Sequence, residues 1–223
     1  MTKRRVAVLI SGRGSNLGAL IAAAQEPGYP AEIALVVSNR PDAAGLAHAA
    51  NQHVLTEVVD HKAFATKAEF EAKLDTVLSA ADIDLVCLAG FMRLLSTDFV
   101  EAWRNRMINI HPSLLPAFPG LHTHERALAA GVRVHGATVH FVRALTDEGP
   151  IVAQAAVPVL PGDDVETLAA RVLKVEHRLY PLALRLVASG VARVIGERVL
   201  LHEASADPDA ILLSPMFKMN RFL

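Results

Sequence analysis

Asn109 and His111 stand two residues apart in the run Met107-Ile108-Asn109-Ile110-His111-Pro112. On an extended strand that spacing sends both polar side chains to one face and gives Ile108 and Ile110 the other. An amide donor beside an imidazole can stabilise a developing oxyanion and move a proton. Pro112 confines His111 to extended backbone, so the pair is aimed. A histidine at a strand end is also often merely hydrogen-bonded, and the pair needs support from elsewhere. One source is Asp147, the first carboxylate downstream of the histidines at 111–140, a candidate to orient His111 or simply a turn former. Another is the bend Ser11-Gly12-Arg13-Gly14-Ser15-Asn16. There Gly12 and Gly14 let the backbone approach a ligand, while Ser15 and Asn16 offer donors and helix caps. Such a bend between a strand and a helix holds anions. The third glycine of a dinucleotide fingerprint is Leu17 here, the second strand ends in Ser38-Asn39-Arg40 without an acid, and no G-K-[ST] occurs. A phosphomonoester is the anion that fits, with a plain helix-capping turn as the alternative.

The elements that must aim these groups show in the apolar patterning. Residues 6–10 are an apolar run ending in the glycines, and 17–24 follow with helical spacing. Further runs at 33–37, 83–89 and 107–110 are separated by helix-like stretches at 66–80 and 97–103. Strands apolar on both faces and separated by helices belong to a parallel sheet covered on both sides. After His111 prolines become frequent, and 134–142 with 151–157, joined by a Gly-bearing connection at 143–149, read as an antiparallel pair added to that sheet. A long helical stretch over 165–187 packs back. The expectation is an α/β fold: a doubly wound, mostly parallel sheet with a C-terminal antiparallel strand pair, one domain over 1–204 and a tail at 205–223.

Composition closes other routes. Of 223 residues 52% are hydrophobic and 20% charged, which excludes a disordered chain. The net charge of −1 and the lack of a basic block argue against nucleic acid as a partner. The apolar run at 6–10 is too short for a signal sequence or a membrane span, and a single cysteine, Cys87, suits a reducing cytoplasm. Five of the ten histidines (His111, His122, His124, His135 and His140) fall within thirty residues, yet no H-E-x-x-H occurs and only Glu125 lies among them, so no metal is expected. No G-x-S-x-G surrounds a serine, and covalent catalysis has no visible apparatus. Thr138 and His140 share the non-core face of their strand, and one of them could border the Asn109–His111 cleft. Glu176-His177 reads by its position as a solvated helix face.

The bend at 11–16, Ala89-Gly90-Phe91-Met92-Arg93-Leu94-Leu95, Asn109-Ile110-His111-Pro112-Ser113-Leu114-Leu115-Pro116 and Phe118-Pro119-Gly120-Leu121-His122-Thr123-His124 together resemble the phosphoribosylglycinamide formyltransferases of purine synthesis. The resemblance runs from about 6 to about 190, and N-x-H-x-S-L-L-P marks the wider group that handles 10-formyltetrahydrofolate. It implies a Rossmann-like formyltransferase fold, with a phosphate-binding half over about 1–105 and a folate and catalytic half over about 106–190. It implies Asn109, His111 and Asp147 as the catalytic group. Gly12, Gly14, Ser15, Asn16 and Glu176 would take glycinamide ribonucleotide. Lys67, Met92, Arg93, Leu94, Leu95 and Arg143, with Asn109 and Asp147, would line the folate pocket. The donor, 10-formyltetrahydrofolate, is then a cosubstrate, no metal is needed, and the protein is a monomer or a homodimer.

Arg13, where such enzymes often carry Asn, and Glu148, where a glycine is common, depart from the pattern. A deformylase would use the same strand-end group with water as acceptor, but the resemblance there follows an additional N-terminal domain. A non-catalytic sugar-phosphate sensor would keep the bend and ignore formyl chemistry.

Overall fold

The computed structural model describes residues 2–202. The tail expected at 205–223 lies outside them. In chain order the elements are β1 (Arg4–Ile10), α1 (Ser15–Ala24), β2 (Ala31–Ser38), α2 (Ala44–Asn51), β3 (Leu55–Val58), α3 (Lys67–Ala80), β4 (Leu85–Leu88), α4 (Thr97–Ala102) and β5 (Met107–His111). There follow α5 (Thr123–Ala129), β6 (Val134–Phe141), β7 (Ile151–Pro158), α6 (Val165–Ala188), and a hairpin of β8 (Ala192–Ile195) and β9 (Arg198–Leu201). Seven strands form one sheet in the order β3-β2-β1-β4-β5-β6-β7. Pairing is parallel from β3 across to β5, then antiparallel for β5 with β6 and β6 with β7. This is the doubly wound sheet with an added antiparallel pair that the patterning implied.

Alternation along β1 divides the core. Val6, Val8 and Ile10 enter the layer built with α1 and α6, among Leu17, Leu20, Leu168 and Tyr180. Ala7 and Leu9 enter the opposite layer with α3 and α4, among Phe70, Leu74, Phe99 and Trp103. A strand covered on both faces leaves little place for polar side chains, which is why residues 6–10 of β1, beyond the exposed end at Arg4, read as an unbroken apolar run. The long helices start at capping boxes, Thr66 with Glu69 for α3 and Asp164 with Thr167 for α6. From α6 the buried Tyr180 hydroxyl reaches the carbonyls of Leu88 at 3.0 Å and Ile108 at 3.1 Å, tying that helix to β4 and β5. Cys87, fully buried in β4, has its thiol pKa pushed up to about 12 by burial and behaves as core.

The Gly/Pro-rich stretch after His111 contains α5, which carries His124. One reading needs correction here. Glu176, read by position as solvated, is buried on the face of α6 that packs against α1. Among the described residues no helix is long and apolar enough to cross a membrane.

Candidate active site

Register sets the geometry of the site. Leu9 on β1 is level with Leu88 on β4, and Leu88 with Asn109 on β5. Two strand spacings therefore separate Asn109 from Leu9, about 10 Å. Two residues further on, His111 and the start of the glycine bend occupy the same rim of the sheet, where the parallel strands end. Open α/β sheets bind ligands at that rim.

At the β5 end three side chains converge. Asp147 Oδ2 lies 3.4 Å from His111 Nδ1, and Asp147 Oδ1 lies 3.6 Å from His140 Nε2. The Asp147 carboxylate also accepts the Gly120 N–H at 2.8 Å, which ties the β6–β7 connection to the loop after β5. Burial acts to raise the Asp147 pKa, but the contact with His140, the Gly120 N–H and the two neighbouring imidazoles outweigh it and hold the carboxyl below its usual range. His111 Nε2 faces the Phe118 carbonyl at 3.0 Å, so both of its ring nitrogens look at oxygen acceptors, an arrangement that the doubly protonated ring satisfies.

Asn109 is oriented by its neighbour in register, His140. His140 Nδ1 lies 3.0 Å from the Phe141 carbonyl, which can only accept, so the proton sits there. Nε2, between Asn109 Nδ2 at 3.2 Å and Asp147 Oδ1 at 3.6 Å, accepts from the amide in the neutral ring and donates to the carboxylate in the doubly protonated ring. With the neutral ring one Asn109 N–H is thereby fixed, and the second remains for a ligand. Of the two β6 residues that sequence could not separate, His140 serves the cleft. Thr138 serves the loop instead: its hydroxyl accepts from Leu115 N at 3.0 Å and donates to Ser113 O at 2.7 Å. The Asp147 backbone is left-handed at φ 61°. Gly149 follows so close to β6 that any Cβ would collide with the Phe141 carbonyl oxygen.

At the β1 end Gly14 is left-handed at φ 73° and no side chain caps the first turn of α1. Ser15 and Asn16, expected as caps, do not act as such. Asn16 Nδ2 instead donates to Glu176 Oε2 at 2.7 Å, and its buried Oδ1 has no hydrogen-bond partner. Burial raises the Glu176 pKa, opposed by the Asn16 hydrogen bond. Gly14 packs on the first turn of α2: a Cβ on Gly14 would lie 3.0 Å from Gly45 Cα, and Gly45 N donates to the Gly12 carbonyl at 3.0 Å. Ser15 and Arg13 are exposed on the bend.

The segment 91–95 leaves β4 at the same rim. Met92 and Leu94 are 69% and 73% exposed, an apolar surface that an aromatic ligand could cover, while Arg93 is exposed between them. Lys67, on the first turn of α3, has its Nζ 3.9 Å from Glu71 Oε1. Arg143 is the assigned residue that the site does not gather. Its guanidinium donates to Glu197 at 2.8 Å and to Asn105 at 2.9 Å, on the side where β5 begins. Only the backbone of that residue is left to the loop. A cavity of about 440 Å³ lined by Arg4, Asp84, Asn105, Arg106 and Arg193 opens at that far rim and holds none of the assigned residues. No group of three or more His, Cys, Asp or Glu that could hold a metal occurs among the described residues.

The chain is similar over most of its length to proteins of known family. A family model described as formyl transferase matches residues 4–184. Phosphoribosylglycinamide formyltransferase of Escherichia coli (strain K12) is 41% identical over 210 residues, 94% of this chain and 96% of that protein. The trifunctional purine biosynthetic protein adenosine-3 of Homo sapiens is 52% identical over 192 residues, 86% of this chain. The chain spans about a fifth of that longer protein, 19% of its length. The crystal structure of glycinamide ribonucleotide transformylase 1 from Symbiobacterium toebii superimposes with a TM-score of 0.87 at 50% identity, over 89% of this chain and 94% of that one.

Proposed function

The chain belongs to the formyl transferase family, and on that premise we propose that it moves the formyl group of 10-formyltetrahydrofolate to the primary amine of 5'-phosphoribosylglycinamide in purine synthesis. The observation that carries this reading is the shared rim. The Asn109–His111–Asp147 group and the glycine bend stand two strands apart in register, so one ligand held by its phosphate at the bend presents its other end to the imidazole.

In this reading the α1 N-terminus and the N–H groups of Gly14, Ser15 and Asn16 take the phosphate. Asn16 Oδ1 and the Glu176 carboxylate take donors of the nucleotide. The exposed apolar side chains at 92 and 94 cover the donor's rings. The neutral amine attacks the formyl carbon and a carbon–nitrogen bond forms. The free N–H of Asn109 and the protonated His111 ring stabilise the oxyanion, with Asp147 holding that ring's orientation and charge. The tetrahedral centre then collapses, its bond to N10 breaks, and the proton lost by the amine ends on N10 of tetrahydrofolate. No covalent bond to the protein forms.

The test is absorbance at the folate product with and without nucleotide. Tetrahydrofolate formation that requires phosphoribosylglycinamide supports the transferase. Formation without it identifies a deformylase, and no formation with nucleotide bound identifies a sensor.

A further inference from the structure

The segment 91–95 is held at both ends by side chains from elsewhere in the fold. At its far end the buried Glu71 of α3 accepts the Ser96 N–H at 2.7 Å and the Ser96 hydroxyl, just where Ser96 caps α4. At its near end the Met92 N–H donates to Ser11 Oγ at 2.8 Å. Ser11 is the first residue of the glycine bend, 7% exposed, and its hydroxyl proton is committed to Asn39 Oδ1 at 2.6 Å. The Asn39 carbonyl and amide nitrogen in turn lie 2.9 and 3.1 Å from His61 Nδ1. With its single proton directed to Asn39, the Ser11 oxygen presents a lone pair to Met92, so the ends of β1, β2 and β4 are joined by one oriented chain of hydrogen bonds.

We propose that Ser11 is a positioning residue that locks the segment bearing Met92 and Leu94 to the nucleotide-binding bend, setting the donor pocket at a fixed distance from the anchored nucleotide. This rests on the formyl transfer reading for its consequence, though not for the lock itself. Ser11 touches neither substrate in this account. Its loss is felt through Met92 and therefore as weaker engagement of the formyl donor, while the Ser11 N–H still bonds the Gly90 carbonyl at 3.2 Å and keeps the strand ends paired.

The experiment compares the wild type with Ser11→Ala and Ser11→Thr, the second of which keeps the hydroxyl. Amide hydrogen exchange, with no substrate present, reads the lock directly: in Ser11→Ala the Met92 amide should exchange about tenfold faster while amides of the β4 interior are unchanged. In steady-state assays Ser11→Ala should raise the KM for 10-formyltetrahydrofolate about fivefold to tenfold, the loss expected for one hydrogen bond, with kcat and the nucleotide KM within twofold. Ser11→Thr should restore most of that loss. Unchanged exchange at Met92 overturns the lock whatever the activity. Faster exchange with an unchanged donor KM, or a loss spread equally over kcat and both KM values, overturns the positioning role. Should the wild type form no tetrahydrofolate, the formyl transfer reading fails, and the exchange measurement still decides the lock.

Discussion

His135 on β6 is 1% exposed and its Nε2 has no hydrogen-bond partner. Its ring meets His124 edge to face at 5.3 Å and Phe118 at 5.8 Å, directly behind the loop whose carbonyl contacts His111. Burial, with the imidazoles of His124 and His111, pushes its pKa down from 6.5 to about 4. In the unfolded chain His135 takes a proton below pH 6.5 that the folded site refuses until about pH 4. Across that window the unfolded state binds more protons, so His135 makes stability fall as pH is lowered. His135→Gln should flatten the dependence of the urea midpoint on pH between 6.5 and 4, and an unchanged slope contradicts the assignment. Residue by residue, Asn109 and His111 were legible because period two and a following proline determine their direction. Asp147 and Glu176 were not legible from their own surroundings, since a carboxylate in a turn and one on a helix both look solvated until their partners across the fold, His111 and Asn16, are known.

At the scale of elements, the bend rests on α2. Gly14 needs its positive φ and also has Gly45 against it, so an added methyl meets both backbone strain and contact. Gly14→Ala should cost about 1–3 kcal/mol in chemical denaturation and weaken nucleotide binding. Equal stability and affinity would show that the bend does not need its left-handed residue. α2 itself was not legible in the sequence: Ala44–Asn51 buries Gly45 and Ala49 and carries almost no large apolar side chain. β3 escaped for a related reason, since an edge strand exposed along its whole length bears no alternation. The hairpin β8–β9 is mostly exposed and also lacks it. Of the strands that were legible, β1, β2, β4 and β5 are those sandwiched between helices, where burial on two faces forces an apolar run, while β6 and β7 showed as the extended segments on either side of a Gly-bearing connection.

For the whole molecule, one continuous sheet serves two core layers, and Tyr180 joins one layer to strands that line the other. The single tryptophan, Trp103, lies in the α3–α4 layer, where its Nε1 donates to Asp75 at 2.9 Å. Because neither layer can open without uncovering the shared sheet, tryptophan fluorescence and far-ultraviolet ellipticity should lose signal at the same denaturant concentration. Separate midpoints would mean that the two core layers unfold as independent units.

In the proposed formyl transfer that shared sheet is also what lets a nucleotide held at one strand end react at another, and the pair Asn109→Ala and His111→Ala tests this most directly. Each should lower kcat for tetrahydrofolate formation at least about a hundredfold, roughly 3 kcal/mol of lost oxyanion stabilisation, while the Kd for phosphoribosylglycinamide by calorimetry stays within about threefold of wild type. Turnover that survives both substitutions would contradict the account.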